Sequence, residues 1–91
     1  VVHVLAHEDR TLSEVFAGRR PSPGGPFTGV AVTDSEWGPQ IDAIPNRAYC
    51  SGVSVVEHGY SLLVSAHVDS VDVSDLTDPL LYFRGGYRGL A

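Results

Sequence analysis

The chain has 91 residues, a formal net charge of −5, and 43% hydrophobic against 19% charged residues. This is the length and composition of a single globular domain, and no apolar run approaches the ~20 residues of a membrane-spanning helix. An acidic surface repels phosphate backbones, so neither nucleic acid nor membrane is an expected partner.

All six basic residues are arginine, and neither lysine nor methionine occurs. The chain opens at Val1 inside a strand-like run. We therefore expect one domain over residues 1–91 that is a piece of a longer or processed protein. Cys50 is the sole cysteine, so there is no internal disulfide. A cytoplasmic setting is favoured over that of a disulfide-stapled secreted scaffold, although the thiol alone does not fix the compartment.

Residues 1–7 read as a strand, because Val1, Val2 and Val4 are β-branched and suit a pleated surface. Thr11-Leu12-Ser13-Glu14 has the form of a capping box, with Leu12, Val15 and Phe16 as the apolar side of a short helix ending at Gly18. Residues 21–26, Pro-Ser-Pro-Gly-Gly-Pro, form a rigid connector. Residues 28–33 read as a second strand, and residues 34–46, with Gly38, Pro39 and Pro45, as a long loop. Trp37 in that loop is expected to tuck onto the sheet rather than stand out as a contact anchor.

The clearest signal is a hairpin: residues 47–57 and 60–70 have strand character around a His58-Gly59 turn. Pairing Glu57 with Tyr60 sets Tyr49, Val53 and Val55 against Val68, Val64 and Leu62 on an apolar face expected to be buried. Cys50, Gly52, Ser54 and Val56 then face His67, Ser65, Leu63 and Ser61 on the other side. Residues 80–84 suit either a short helix behind Asp78-Pro79 or a last strand, and residues 86–91 form a loosely held tail. The expected fold class is α+β. It has a small antiparallel or mixed sheet of about four strands, one or two short helices, and a ferredoxin-like or split βαβ layout.

Two constellations carry chemistry. The hairpin register sets Cys50 opposite His67, with Asp69 on the same face; a thiol, an imidazole and a carboxylate in that order are what nucleophilic catalysis requires. Asp69, Asp72, Asp75 and Asp78 recur at every third position and are candidate metal ligands, without the alternate spacing or central glycine of an EF-hand. His3 and His7 lie four apart, but on a strand this separates them by ~13 Å, too far for one ion. Arg84-Gly85-Gly86 is a single RGG unit, whereas RNA-binding tails carry many. No phosphate-binding loop or dinucleotide fingerprint is present, and no cofactor is expected.

The favoured reading is a non-catalytic α+β module that works through contact with another protein chain or as a homo-oligomer, within a larger assembly or precursor. The alternatives are a small enzyme or enzyme subunit built on Cys50, His67 and Asp69, and a small-ligand or metal-binding domain.

Overall fold

The computed structural model describes residues 1–88. The first strand, β1 (Val2–His3), is shorter than the sequence suggests and pairs antiparallel with the base of β4 (Arg47–His58). The chain then leaves the sheet through an isolated bridge between Ala6 and Pro79 and a 3-10 turn at His7–Asp9. Helix α1 follows at Arg10–Phe16. Asp9 Oδ2 accepts the Ala6 N–H at 2.9 Å, so a carboxylate satisfies an otherwise free donor just ahead of the helix. Glu14 does not close the expected capping box; it pairs with Arg20 at 2.9 Å instead. Gly18 ends the helix as expected: its φ of 75° lets the Arg19 N–H return to the Glu14 carbonyl at 2.9 Å.

The expected long loop is in fact a hairpin. β2 (Val32–Ser35) pairs antiparallel with β3 (Gly38–Ile41), from Val32 opposite Ile41 to Ser35 opposite Gly38. Ser35 Oγ braces the turn by donating to the Gly38 carbonyl at 2.7 Å and accepting the Trp37 N–H at 3.2 Å. Pro39 is tolerated because a two-stranded ribbon consists entirely of edge strands.

β4 and β5 (Ser61–Asp72) form the longest hairpin. Its turn lies one residue later than expected: His58 pairs with Ser61, and Gly59-Tyr60 are the two central residues. Gly59 has φ 65° while Tyr60 keeps a negative φ, the pattern of a II′ turn with glycine first. This moves each partner by two positions and preserves which residues share a face near the tip, with Val55 opposite Val64 and Glu57 opposite Leu62. Two irregularities lie nearer the base. Asp69 is left over between the Tyr49–Ser70 and Cys50–Val68 pairs, and Gly52 (φ 61°) and Val53 together occupy the space opposite Ala66.

β6 (Leu81–Phe83) and β7 (Gly86–Arg88) close a last ribbon, so residues 80–84 take the strand alternative and the first part of the tail is paired. The remainder of the tail, residues 89–91, lies outside the described residues. The Arg84-Gly85 turn has φ of 51° and 77°, as a I′ turn requires.

The fold is thus a small α+β arrangement of antiparallel sheets with one short helix. The expected four-stranded sheet of a ferredoxin-like or split βαβ layout is not formed. The described residues make one three-stranded sheet, β1-β4-β5, and two separate ribbons, β2-β3 and β6-β7. Their buried hydrophobic residues are Ile41, Ile44 and Tyr49, where β1, β3 and the base of β4 meet. Asn46 is buried with them and is satisfied: its Oδ1 accepts the Ser74 N–H at 2.8 Å, and its carbonyl accepts that of Val4 at 2.9 Å.

The hairpin face expected to be buried stands open, with Val53 61%, Val55 56%, Leu62 65% and Val64 59% exposed. The total accessible surface, 6631 Å², exceeds by roughly 1,500 Å² what a monomer of this mass ordinarily shows.

Candidate functional site

Two clefts flank β1, and His3 and Leu5 contribute to both. The first, about 290 Å³, is walled by Leu12, Phe16, Phe27 and Ile41 and is mainly apolar. Phe16 and Phe27 meet edge to face with centroids 5.0 Å apart, so much of their aromatic surface is already engaged. The second, about 310 Å³, lies between β1, α1 and the β6-β7 ribbon. Both sit near the lower limit of the ~300–1,000 Å³ typical of small-molecule sites.

The second cleft has the more varied chemistry. Its apolar wall is Val4, Leu5 and Leu80; its other wall is Tyr82 and Tyr87, which the ribbon register places opposite each other. Their rings meet at 67° with centroids 5.3 Å apart. The Tyr87 hydroxyl lies 3.3 Å from Ser13 Oγ on α1, tying the ribbon to the helix. Arg19, just past the helix end, holds its guanidinium 4.8 Å from the centre of the Tyr82 ring. The cleft therefore combines aromatic surface, two hydroxyls and a cation at its margin.

His3 forms part of the wall rather than a reactive group. Its Nε2 accepts the Ile41 N–H at 3.0 Å, which requires the neutral imidazole. Burial, and then the charge of Arg47, push its pKa below the ordinary histidine value.

The sequence candidates fare differently. Cys50 pairs with Val68, and His67 pairs with Ser51, so strand alternation sends the thiol and the imidazole to opposite faces. The cause is the bulge at Gly52 and Val53, which sets two residues opposite Ala66 and offsets the register by one before the strand reaches Cys50. His67 and Asp69 do meet, with Nε2 and Oδ1 3.5 Å apart, but the His67 side chain is 79% exposed and has no thiol before it. Asp69 serves another purpose: its Oδ2 accepts the Trp37 indole N–H at 2.9 Å. The Ser51 hydroxyl, Trp37 and His67 hold its carboxyl below the usual range. Trp37 is thereby tucked down, its ring 5.1 Å from that of Tyr49.

The four aspartates do not converge. Asp72 accepts the Tyr49 hydroxyl at 2.6 Å and Arg47 Nη1 at 3.3 Å. Asp75 and Asp78 lie farther along, beside His7 and Glu8 around a small polar depression. Among the described residues no three of His, Cys, Asp or Glu come together in a way that could hold a metal ion. No helix among them is long and apolar enough to cross a membrane.

Ser13, Arg19, Tyr82 and Tyr87 escaped the sequence reading. Tyr82 and Tyr87 stand five positions apart in sequence, and only the two-residue turn brings them face to face. The resulting cleft is of the kind that takes a flat, partly polar small molecule. The chain matches the model of the flavin reductase like domain over residues 1–91 and belongs to that family. No curated protein and no solved structure matches it significantly. The family overturns the expectation of a non-catalytic protein-contact module: it points to a flavin-binding, oxidoreductase-associated role.

Proposed function

We propose that this chain supplies a flavin-binding surface of a flavin-reducing protein, and that the ring system docks in the cleft between β1, α1 and the β6-β7 ribbon. The family match across residues 1–91 carries this reading. The cleft residues fit the group. A flavin ring system is flat, with one apolar edge and one edge of hydrogen-bonding atoms. Tyr82 and Tyr87 offer aromatic surface, Val4, Leu5 and Leu80 an apolar wall, and Tyr87 Oη and Ser13 Oγ hydrogen-bonding partners. When bound, the flavin supplies the two-electron carrier of the reaction. The chain's part is to bind and orient the ring and to keep water from its apolar edge. His3 holds the cleft wall in place through Ile41 and takes no proton from the ring.

The test is an equilibrium titration of riboflavin with the full chain, followed by flavin fluorescence. Tyr82→Ala should weaken binding about tenfold or more, and Phe27→Ala, in the other cleft, should leave it unchanged. Binding lost with Phe27→Ala and kept with Tyr82→Ala would move the site to the first cleft.

We further infer that another protein surface, in the simplest case a second copy of the chain, covers the β4-β5 hairpin. The surface excess of roughly 1,500 Å² is ample for one side of a standard interface, ~800 Å² per partner. β1 covers only the Arg47 and Ala48 positions of β4, and β5 is paired on one edge alone. Sedimentation velocity should show concentration-dependent association that Val64→Asp abolishes. A strict monomer across the range would contradict a second copy. The single free thiol, Cys50, suits a cytoplasmic setting. The three small sheets read as parts of a split-barrel-like domain rather than a ferredoxin-like one.

A further inference from the structure

We propose that His3 positions the wall shared by the two clefts only as the neutral imidazole, so that flavin binding in the second cleft is tied to the absence of a proton on this residue. The inference rests on the flavin reading above and adds the condition under which that site is formed.

The geometry around the imidazole carries it. His3 lines both clefts from β1, a strand of two residues that is held to β4 by the pairs Val2 with Ala48 and His3 with Arg47. Its Nε2 joins β1 to β3 by accepting the Ile41 N–H at 3.0 Å. Ile41 is buried, so this donor has no water to turn to when the bond is lost. An imidazolium carries a proton on both nitrogens and accepts no hydrogen bond. Protonation therefore sets two donors against each other, and the ring must leave Ile41. The groups that face His3 give the charge little support. The Val1 amino group on its own segment and Arg47 on β4 are both cationic. β3 and α1 line the clefts with uncharged residues, and the β6-β7 ribbon adds Tyr82 and Tyr87, neutral below pH ~10. Among the described residues that line the two clefts there is no Asp or Glu. Burial, the leading influence, also disfavours the charged ring, and only a hydrogen bond to the Val1 backbone favours it.

The experiment measures the riboflavin affinity of the full chain between pH 8 and pH 5, with circular dichroism confirming the fold at each pH. Riboflavin is the probe because a phosphoryl group would itself titrate near pH ~6. Affinity should be level above pH 6.5 and decline as pH falls through the lowered value of His3. The decline should reach about tenfold, the change expected for one lost buried hydrogen bond. Glutamine offers Ile41 an acceptor and does not titrate. In His3→Gln the ratio of affinities at the two ends of the range should therefore come close to one, whatever the affinity at pH 8. His67→Gln, at an exposed imidazole far along β5, should keep the parental ratio. Linkage also requires the reciprocal effect, which needs no variant: saturating riboflavin should lower the pH at which the His3 ring resonances titrate in the unsubstituted chain. A flat affinity profile, a decline that survives His3→Gln, or a His3 titration unmoved by riboflavin overturns the inference and leaves the flavin reading standing. Failure of riboflavin to bind at any pH overturns the flavin reading and this inference with it.

Discussion

The indole Nε1 of Trp37 donates to Asp69 Oδ2 across 2.9 Å, joining residues 32 positions apart in sequence. The bond fastens the turn of the β2-β3 ribbon to the irregularity at Asp69 in β5. Beside it, the Tyr49 hydroxyl donates to Asp72 and accepts from Arg47 Nη1 at 3.0 Å. These contacts hold the base of an otherwise open hairpin to the small core. Trp37→Phe keeps an aromatic ring against Tyr49 but removes the donor. It should cost about 1 kcal/mol, read by urea unfolding with circular dichroism, because Trp37 is the sole tryptophan. A variant as stable as the parent would show that the ring contact alone suffices.

Stability should depend on pH in two windows. The folded pKa of His3 lies below its unfolded value of 6.5, chiefly through burial. Below 6.5 the unfolded chain binds the proton more readily, so the contribution of His3 is fully present above 6.5 and is lost as pH falls through the folded value. The lowered carboxyl of Asp69, with Ser51 as its leading cause, acts in the same sense, with stability lost as pH falls from 3.8 through the folded value. Melting temperatures measured between pH 8 and pH 5 should fall toward acid, and His3→Gln should flatten that slope. An equally steep slope in His3→Gln would assign the effect to another group.

Core and hairpin should respond oppositely to truncation. Ile44 is 2% exposed, and Ile44→Ala should destabilise the chain by about 2–4 kcal/mol through lost burial and a cavity. Val64, open on the hairpin face, should cost under ~0.5 kcal/mol as Val64→Ala in dilute monomer. Chemical unfolding at low protein concentration makes the comparison. Equal losses at both positions would mean that the hairpin face is covered even in the monomer.

Cys50 and His67 should behave independently. Their side chains leave the sheet on opposite faces, so the rate of Cys50 alkylation should be unchanged by His67→Ala at neutral pH. A severalfold slowing in that variant would restore the coupling that the register removes.

The elements legible in the sequence were those set by local chemistry: the end of α1 at Gly18, the apolar alternation of residues 47–70, and the tucked Trp37. What escaped was decided by single residues inside apparently regular segments. Gly52, at positive φ within β4, was a readable sign of a bulge, and ignoring bulges placed Cys50 opposite the wrong residue. Gly38 and Pro39 masked β3, because glycine and proline argue against a strand unless it lies at an edge. The candidate site was harder still, since Ser13, Arg19, Tyr82 and Tyr87 converge only when the Arg84-Gly85 turn folds the ribbon back and the ribbon packs on α1. No periodicity in the sequence records that contact.

Docking of a flavin between β1, α1 and the β6-β7 ribbon would perturb residues of all three elements. Amide chemical-shift mapping of the isotope-labelled full chain during titration with FMN tests this most directly. The largest shifts should fall at Leu5, Ser13, Arg19, Tyr82 and Tyr87 and saturate together along one binding curve. Shifts concentrated at Phe16, Phe27 and Ile41, or none at saturating FMN, would contradict it.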